Sequence, residues 1–144
     1  MYASSEEAEA AFYEAFSNSD LEAMMLVWAP SDEIICVHPS GPRLEGINAV
    51  RESWAMIFSE RILRSFDLRG LMITGSETFR LHHLEENITV PGTSFLAPPV
   101  LAANAYQKFE QGWRMIAHHA CVAPASLGDQ ENVEPPERKP NVLH

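Results

Sequence analysis

The sequence predicts one α+β domain, three helices first and a meander of antiparallel strands after them. Three observations carry this. Apolar residues recur at three- and four-residue spacing as far as Phe58, the period of a helix with one buried face. From about Ile62 onward the pattern changes to long runs rich in β-branched and aromatic residues. The turns between those runs are too short to hold crossover helices, so neighbouring strands are antiparallel.

The elements follow in order. Ser4 with Glu7 three residues on forms a capping box, and Ala8, Ala11, Phe12, Ala15 and Phe16 make one apolar stripe behind it. Ser19 and Glu22 repeat the box, with Leu21, Met24, Met25 and Trp28 on the stripe until Pro30 stops the helix. Residues 33–37 are rich in β-branched side chains and end at His38-Pro39, where the proline biases His38 to an extended backbone, so this is a first strand. A turn through Ser40, Gly41, Pro42 and Gly46 leads into a third helix carrying Ile47, Val50, Trp54, Ile57 and Phe58. Long strands then cover residues 63–74, 77–90, 101–109 and 113–122. Residues 91–99 hold three prolines and a glycine and belong to a loop or an edge. The domain is expected to occupy residues 1–122, and residues 123–144 to form a proline-rich tail.

With 144 residues, 46% of them apolar, such a domain buries about two-thirds of its unfolded surface in one core. Twenty acidic residues against ten basic ones give a net charge of −10, which repels phosphates and anionic lipid. Neither nucleic acid nor a membrane is therefore expected as a partner. The N-terminus lacks a basic region followed by an apolar run, and a cytoplasmic protein is expected. Cys36 and Cys121 both lie in apolar β-like runs and read as free, buried thiols.

Two segments carry a resemblance. One is Val37-His38-Pro39-Ser40-Gly41, followed by Gly46 and the third helix; the other runs from Asn104 to Cys121 and includes Gly112-Trp113-Arg114-Met115 and His118-His119. In this order and spacing the chain, over about residues 5–122, resembles the nuclear transport factor 2-like superfamily. The likeness is to its SnoaL-like and ketosteroid isomerase-like branch, which is related to the association domain of calcium/calmodulin-dependent protein kinase type II. The resemblance implies a cone-shaped, cystatin-like fold, with three N-terminal helices packed on a strongly curved, mostly antiparallel sheet around a ligand pocket. In the isomerases a catalytic aspartate precedes the proline of the first segment, and the matching position here is His38. Three pocket tyrosines match Phe12, Trp28 and Trp54, and a protonated aspartate falls on Ala105 by an ungapped count back from Gly112. The resemblance also turns His118 toward the pocket and His119 away from it.

Phe12 and Ala105 have no side-chain donor for a developing oxyanion, so steroid isomerisation by the family's route is not expected. Tyr13 and Asn104 stand next to the vacant positions, and a bulge would bring either into the pocket. His38 is the candidate proton shuttle, since an imidazole with a pKa near about 6.5 gives and takes protons at neutral pH. Adjacent strand residues point to opposite faces, so His118 and His119, like His82 and His83, cannot share one site. Asn104 and Tyr106 share a face. Trp28 and Trp54 would give a pocket flat apolar walls. No HExxH or CxxC spacing supports a metal, though His38, His118 and Glu85 are a conceivable set, and no cofactor is expected.

The candidate site is thus His38 and His118 as catalytic residues, with Phe12, Trp28, Trp54, Asn104, Ala105 and Tyr106 lining the ligand. The expected function is a small-molecule-binding protein or a cofactor-free enzyme of isomerase, dehydratase, cyclase or hydrolase type, acting on a small apolar ligand. The alternative is an association module without catalysis. A homodimer is expected in either case.

Overall fold

The structure, a computed structural model, describes residues 1–94 and 96–124. Helices α1 (Ser5–Ser17), α2 (Leu21–Val27) and α3 (Ile47–Phe58) cover one face of an open sheet. Its strands are β1 (Ile35–Val37), β2 (Arg43–Glu45), β3 (Ser65–Gly75), β4 (Phe79–Thr89), β5 (Val100–Phe109) and β6 (Gly112–Val122). They lie in the order β2-β1-β6-β5-β4-β3, and every neighbouring pair is antiparallel except β1 with β6. The α+β class and the mostly antiparallel sheet agree with the sequence.

The first capping box forms much as its residues dictate. Ser4 Oγ accepts from Glu7 N at 3.1 Å, and the Glu7 carboxylate accepts from Ala3 N at 2.8 Å, one residue ahead of the cap. The second box does not form. Asp20 caps α2 by accepting from Ala23 N at 3.1 Å, while Ser19 sits at φ 51° and donates its hydroxyl to Ile62 O at 2.6 Å. Strand β2 was not visible in the sequence; its three residues read as turn, because only pairing with β1, across the turn that precedes them, makes them a strand. Cys36 is buried as expected, but Cys121 is exposed on the outer face of β6. The expected tail lies almost wholly outside the described residues.

The N-terminus is pinned to the β5–β6 hairpin, which sets α1 across the sheet. Trp113 N donates to Tyr2 O at 2.9 Å, and Gly112, at φ 110°, leaves room for that crossing: a Cβ there would stand 2.7 Å from Tyr2 O.

Alternation along the strands decides what faces the helices. On β4, His82, Leu84 and Glu86 are buried, and on β5, Val100, Ala102, Asn104 and Tyr106. On β6 the parity changes. Trp113 and Met115 point inward near the hairpin, but His118 and Ala120 do so beyond it, because the register with β5 skips Ile116 between Met115 and Ala117. This one-residue bulge decides which side chains enter the interior.

Candidate functional site

The parallel register of β1 with β6 sets Cys36 opposite His118, so Cys36, His38 and His118 all turn toward the helices. His38 is partly buried, and its Nε2 lies 3.0 Å from Ser53 Oγ on α3. Ser53 donates its own hydrogen to Val50 O at 2.7 Å, so its oxygen is left to accept, and His38 carries its proton on Nε2. Nδ1 is then a bare acceptor. Burial holds the His38 pKa below its ordinary value, keeping the ring neutral and basic near pH 7. Cys36 Sγ is 3.5 Å from the same Nε2, and burial pushes its thiol up to about 12, which removes it as a nucleophile at neutral pH.

His118 is fixed from the other side. The Asn104 amide nitrogen donates to Tyr13 OH at 3.0 Å and, more weakly, toward Glu9 Oε2 at 3.4 Å. Its carbonyl oxygen therefore faces His118 and accepts from Nδ1 at 2.6 Å, which leaves His118 Nε2 bare. Burial, reinforced by the positive charges His38 and His119 would carry, lowers the His118 pKa to about 3. A ring so depressed accepts and orients hydrogen bonds at neutral pH but does not serve there as a cationic acid.

Two aromatic rings, Phe12 and Trp54, pack against these two histidines. Centroid separations are 4.8 Å for His38 and Trp54, 4.9 Å for Phe12 and His118, 5.6 Å for Phe12 and Trp54, and 6.3 Å for His38 and His118. Phe12, Trp54 and His118 are all buried, so side chains pack closely around the two histidines. A cavity of about 330 Å³ lies across the sheet, lined by Ala29, Ile34, Ile35, Phe109 and Ile116 among others.

Beside the rings runs a polar seam that the sequence analysis did not anticipate. Ser5, Glu9 and Tyr13 are spaced four apart on α1 and face His82 and Glu86 on β4 and Asn104 and Tyr106 on β5. Tyr13 OH donates to Glu86 Oε2 at 2.6 Å, and Tyr106 OH to Glu9 Oε2 at 3.0 Å. Ser5 donates to Glu6, so His82 Nε2, 2.9 Å away, donates to Ser5 Oγ. His82 Nδ1 also approaches Glu9 Oε2 at 2.9 Å, but out of line for an N–H bond, so this is a close polar contact rather than a formed hydrogen bond. Burial raises the Glu86 carboxyl to about 7 against the opposing pull of the Tyr13 bond, and lifts both tyrosines well above their ordinary values. The signal in the sequence was the polar 5, 9, 13 spacing next to the apolar stripe, masked by the other glutamates of α1.

A family model for the SnoaL-like domain matches residues 6–125. The chain belongs to this family. Among solved SnoaL-like and nuclear transport factor 2-like structures, it is similar to a provisionally described calcium/calmodulin-dependent protein kinase type II association domain from Thiobacillus denitrificans, with 31% identity, a TM-score of 0.81, and coverage of 86% of this chain and 98% of that one. A provisionally described dehydratase of the nuclear transport factor 2-like family from Streptomyces avermitilis is 30% identical, with a TM-score of 0.75 and coverage of 82% and 92%. The F-box protein SKIP8 of Arabidopsis thaliana is 28% identical over 114 residues, 77% of this chain. The chain spans about half the length of that relative, 46%.

Within the SnoaL-like fold, the residues singled out by sequence separate into groups. His38, Phe12, Trp54 and His118 come together, and Asn104 is one hydrogen bond behind them. Tyr106 belongs to the polar seam, stacked against His82 at 4.8 Å. Trp28 caps α2 in the core, bridged to Met115 and outside the ring contacts of the other four. Ala105 is misplaced by the ungapped count. It pairs with Leu81 and Ala117 on the outer face, while Asn104 shares the inward frame of Ala102 and Tyr106 on β5. Glu85, the third member of the conceivable metal set, also faces outward, paired with Arg69 and Leu101. Among the described residues no group of three or more His, Cys, Asp or Glu side chains is placed to hold a metal, and no helix is long and apolar enough to cross a membrane.

Proposed function

We propose that this SnoaL-like chain is a small-molecule-binding protein or cofactor-free acid–base enzyme of isomerase, dehydratase, cyclase or hydrolase type, with an apolar ligand and His38 as proton acceptor. One observation carries the reading. Ser53 holds His38 by Nε2, so a neutral, partly exposed imidazole keeps a bare Nδ1 at the end of a rigid strand. The Streptomyces avermitilis relative, described as a dehydratase, supports an enzyme of this kind. A thermal-shift screen of apolar acids, lactones and steroids tests it, followed by turnover assays on the compounds that stabilise the protein. His38→Gln is expected to abolish turnover while moving Tm by no more than a few degrees; unchanged turnover removes His38 from the mechanism.

A second reading, an association module, is favoured by the outer face of the sheet. Met72, Phe79 and Leu101 are 66%, 38% and 44% exposed there, around a centre of Leu81, Ala103, Ala105 and Ala117. We propose that this face pairs with a second copy of the chain, whichever reading holds. Light scattering is expected to give a dimer that Leu101→Lys dissociates, and a monomeric wild type sinks the proposal. The net charge of −10 argues against nucleic acid or membrane as partner and fits a cytoplasmic protein.

A further inference from the structure

Three rings of the site hold polar atoms without a hydrogen-bond partner among the described residues, and one of them, the Trp54 indole, is wholly buried. Trp54 is fully buried, yet its indole Nε1–H has no hydrogen-bond partner among the described residues. His38 commits Nε2–H to Ser53 and keeps Nδ1 as an acceptor. His118 commits Nδ1–H to Asn104 and keeps Nε2 as an acceptor. One donor and two acceptors are thus left over on rings whose centroids lie 4.8, 6.1 and 6.3 Å apart. One bridging oxygen can close such spans with hydrogen bonds of about 2.8 Å each.

Leaving the buried indole bare is expensive, since a buried donor without a partner costs about 1–3 kcal/mol. The inventory then selects the chemistry of the missing partner. A cation suits two imidazole lone pairs but not an indole N–H. An anion suits the indole but is repelled by both lone pairs. A hydroxylic oxygen suits all three atoms: it accepts from Trp54 and donates to the histidines, a water to both, an alcohol or phenol to one.

We propose that His38, Trp54 and His118 form a binding site for one hydroxylic oxygen, with Trp54 Nε1–H as donor to it, and with His38 Nδ1 and His118 Nε2 both as acceptors from a water or one of them as acceptor from a ligand hydroxyl. The oxygen comes from an ordered water or from the hydroxyl of the ligand. The inference rests on the ligand-site reading above and narrows the ligand to molecules that present, or react with, a hydroxyl.

The test uses the full ¹⁵N-labelled chain at neutral pH, with phenol as the probe and anisole, its methyl ether, as a control of similar shape that cannot donate. Long-range ¹H–¹⁵N spectra are expected to show His38 protonated at Nε2 and His118 at Nδ1. If the source is a ligand, phenol moves the Trp54 indole N–H and the bare imidazole nitrogens, at an affinity at least tenfold above that of anisole. If the source is water, phenol is silent and the Trp54 indole proton cross-relaxes with a long-lived water. Either histidine in the opposite tautomer overturns the proposal. So does anisole matching phenol, which leaves an apolar ligand site standing without the hydroxyl pairing. Silence from both probes with no bound water overturns this proposal and counts against the ligand site as well. Trp54→Phe, which removes the N–H, is expected to erase the preference for phenol; should that variant fail to fold, the wild-type spectra decide alone.

Discussion

The ring group around His38 and the polar seam under α1 occupy the same face of the same sheet, share Asn104, and treat hydrogen bonding in opposite ways. In the seam, Tyr13, Tyr106, Asn104 and the two glutamates use one another as partners, and His82 Nδ1 alone, though in polar contact with Glu9, lacks a formed hydrogen bond among the described residues. In the ring group, Trp54 Nε1, His38 Nδ1 and His118 Nε2 are left without any among the described residues. A polar network whose members satisfy each other fixes a helix on a sheet. Polar atoms held rigid but unsatisfied are equipment for something that arrives from outside. Burial alone would not have told the two regions apart.

The largest effect that separates them is expected from Glu9→Ala. It strips partners from Tyr106, Asn104 and His82 in the interior and is expected to cost about 3–5 kcal/mol in urea unfolding. A cost under about 1 kcal/mol would show that the seam is not what holds α1.

The pH dependence sharpens the contrast, because the two regions titrate with opposite sign. Glu86 is raised from 4.5 to about 7, so the folded state binds its proton more tightly, and its contribution is full below pH 4.5 and lost as pH rises through 7. His118 is lowered from 6.5 to about 3, so its contribution is full above pH 6.5 and lost as pH falls through 3. Each slope is about 1.4 kcal/mol per pH unit, and between pH 4.5 and 6.5 they oppose. Stability of the wild type is expected to change little across that window. Glu86→Gln should expose the rising limb and His118→Gln the falling one, with urea midpoints at four pH values as the measurement. Parallel curves for the two variants would mean that the environments are not opposed.

The smallest effect is expected from Ser53→Ala, about 1 kcal/mol for one hydrogen bond to a neutral ring. Its informative readout is the His38 tautomer, which should become mixed in ¹⁵N spectra. A tautomer unchanged by the substitution would transfer that control to another group.

Much of this architecture was legible because local patterns and tertiary packing agree. The stripes Ala8-Phe12-Ala15 and Val50-Trp54-Phe58 bury the faces their spacing indicates, and His38 stands at the strand end that Pro39 implies. What stayed hidden depended on partners that local patterns do not reveal. Strand β2 exists only through β1, and Ser19 leaves the α2 cap to Asp20 because Ile62 O claims its hydroxyl. The Ile116 bulge sits in Met115-Ile116-Ala117, where no glycine or turn residue announces it, and the count back from Gly112 stopped one residue short of the inward frame of β5, at Ala105 where Asn104 belongs. Glu9 and Glu86 passed as ordinary surface acids, since nothing about one glutamate among several says that a tyrosine waits opposite.

That bulge also acts as a frame shift written into the protein rather than the gene. On its hairpin side β6 is read in odd numbers, and on its far side in even ones. The two halves of one strand can therefore be altered under separate rules. Deleting Ile116 would remove the extra residue and join the two frames, Met115 and His118 still facing inward with Ala117 facing out between them, so the chain would keep both its sheet and the histidine on which its site is built.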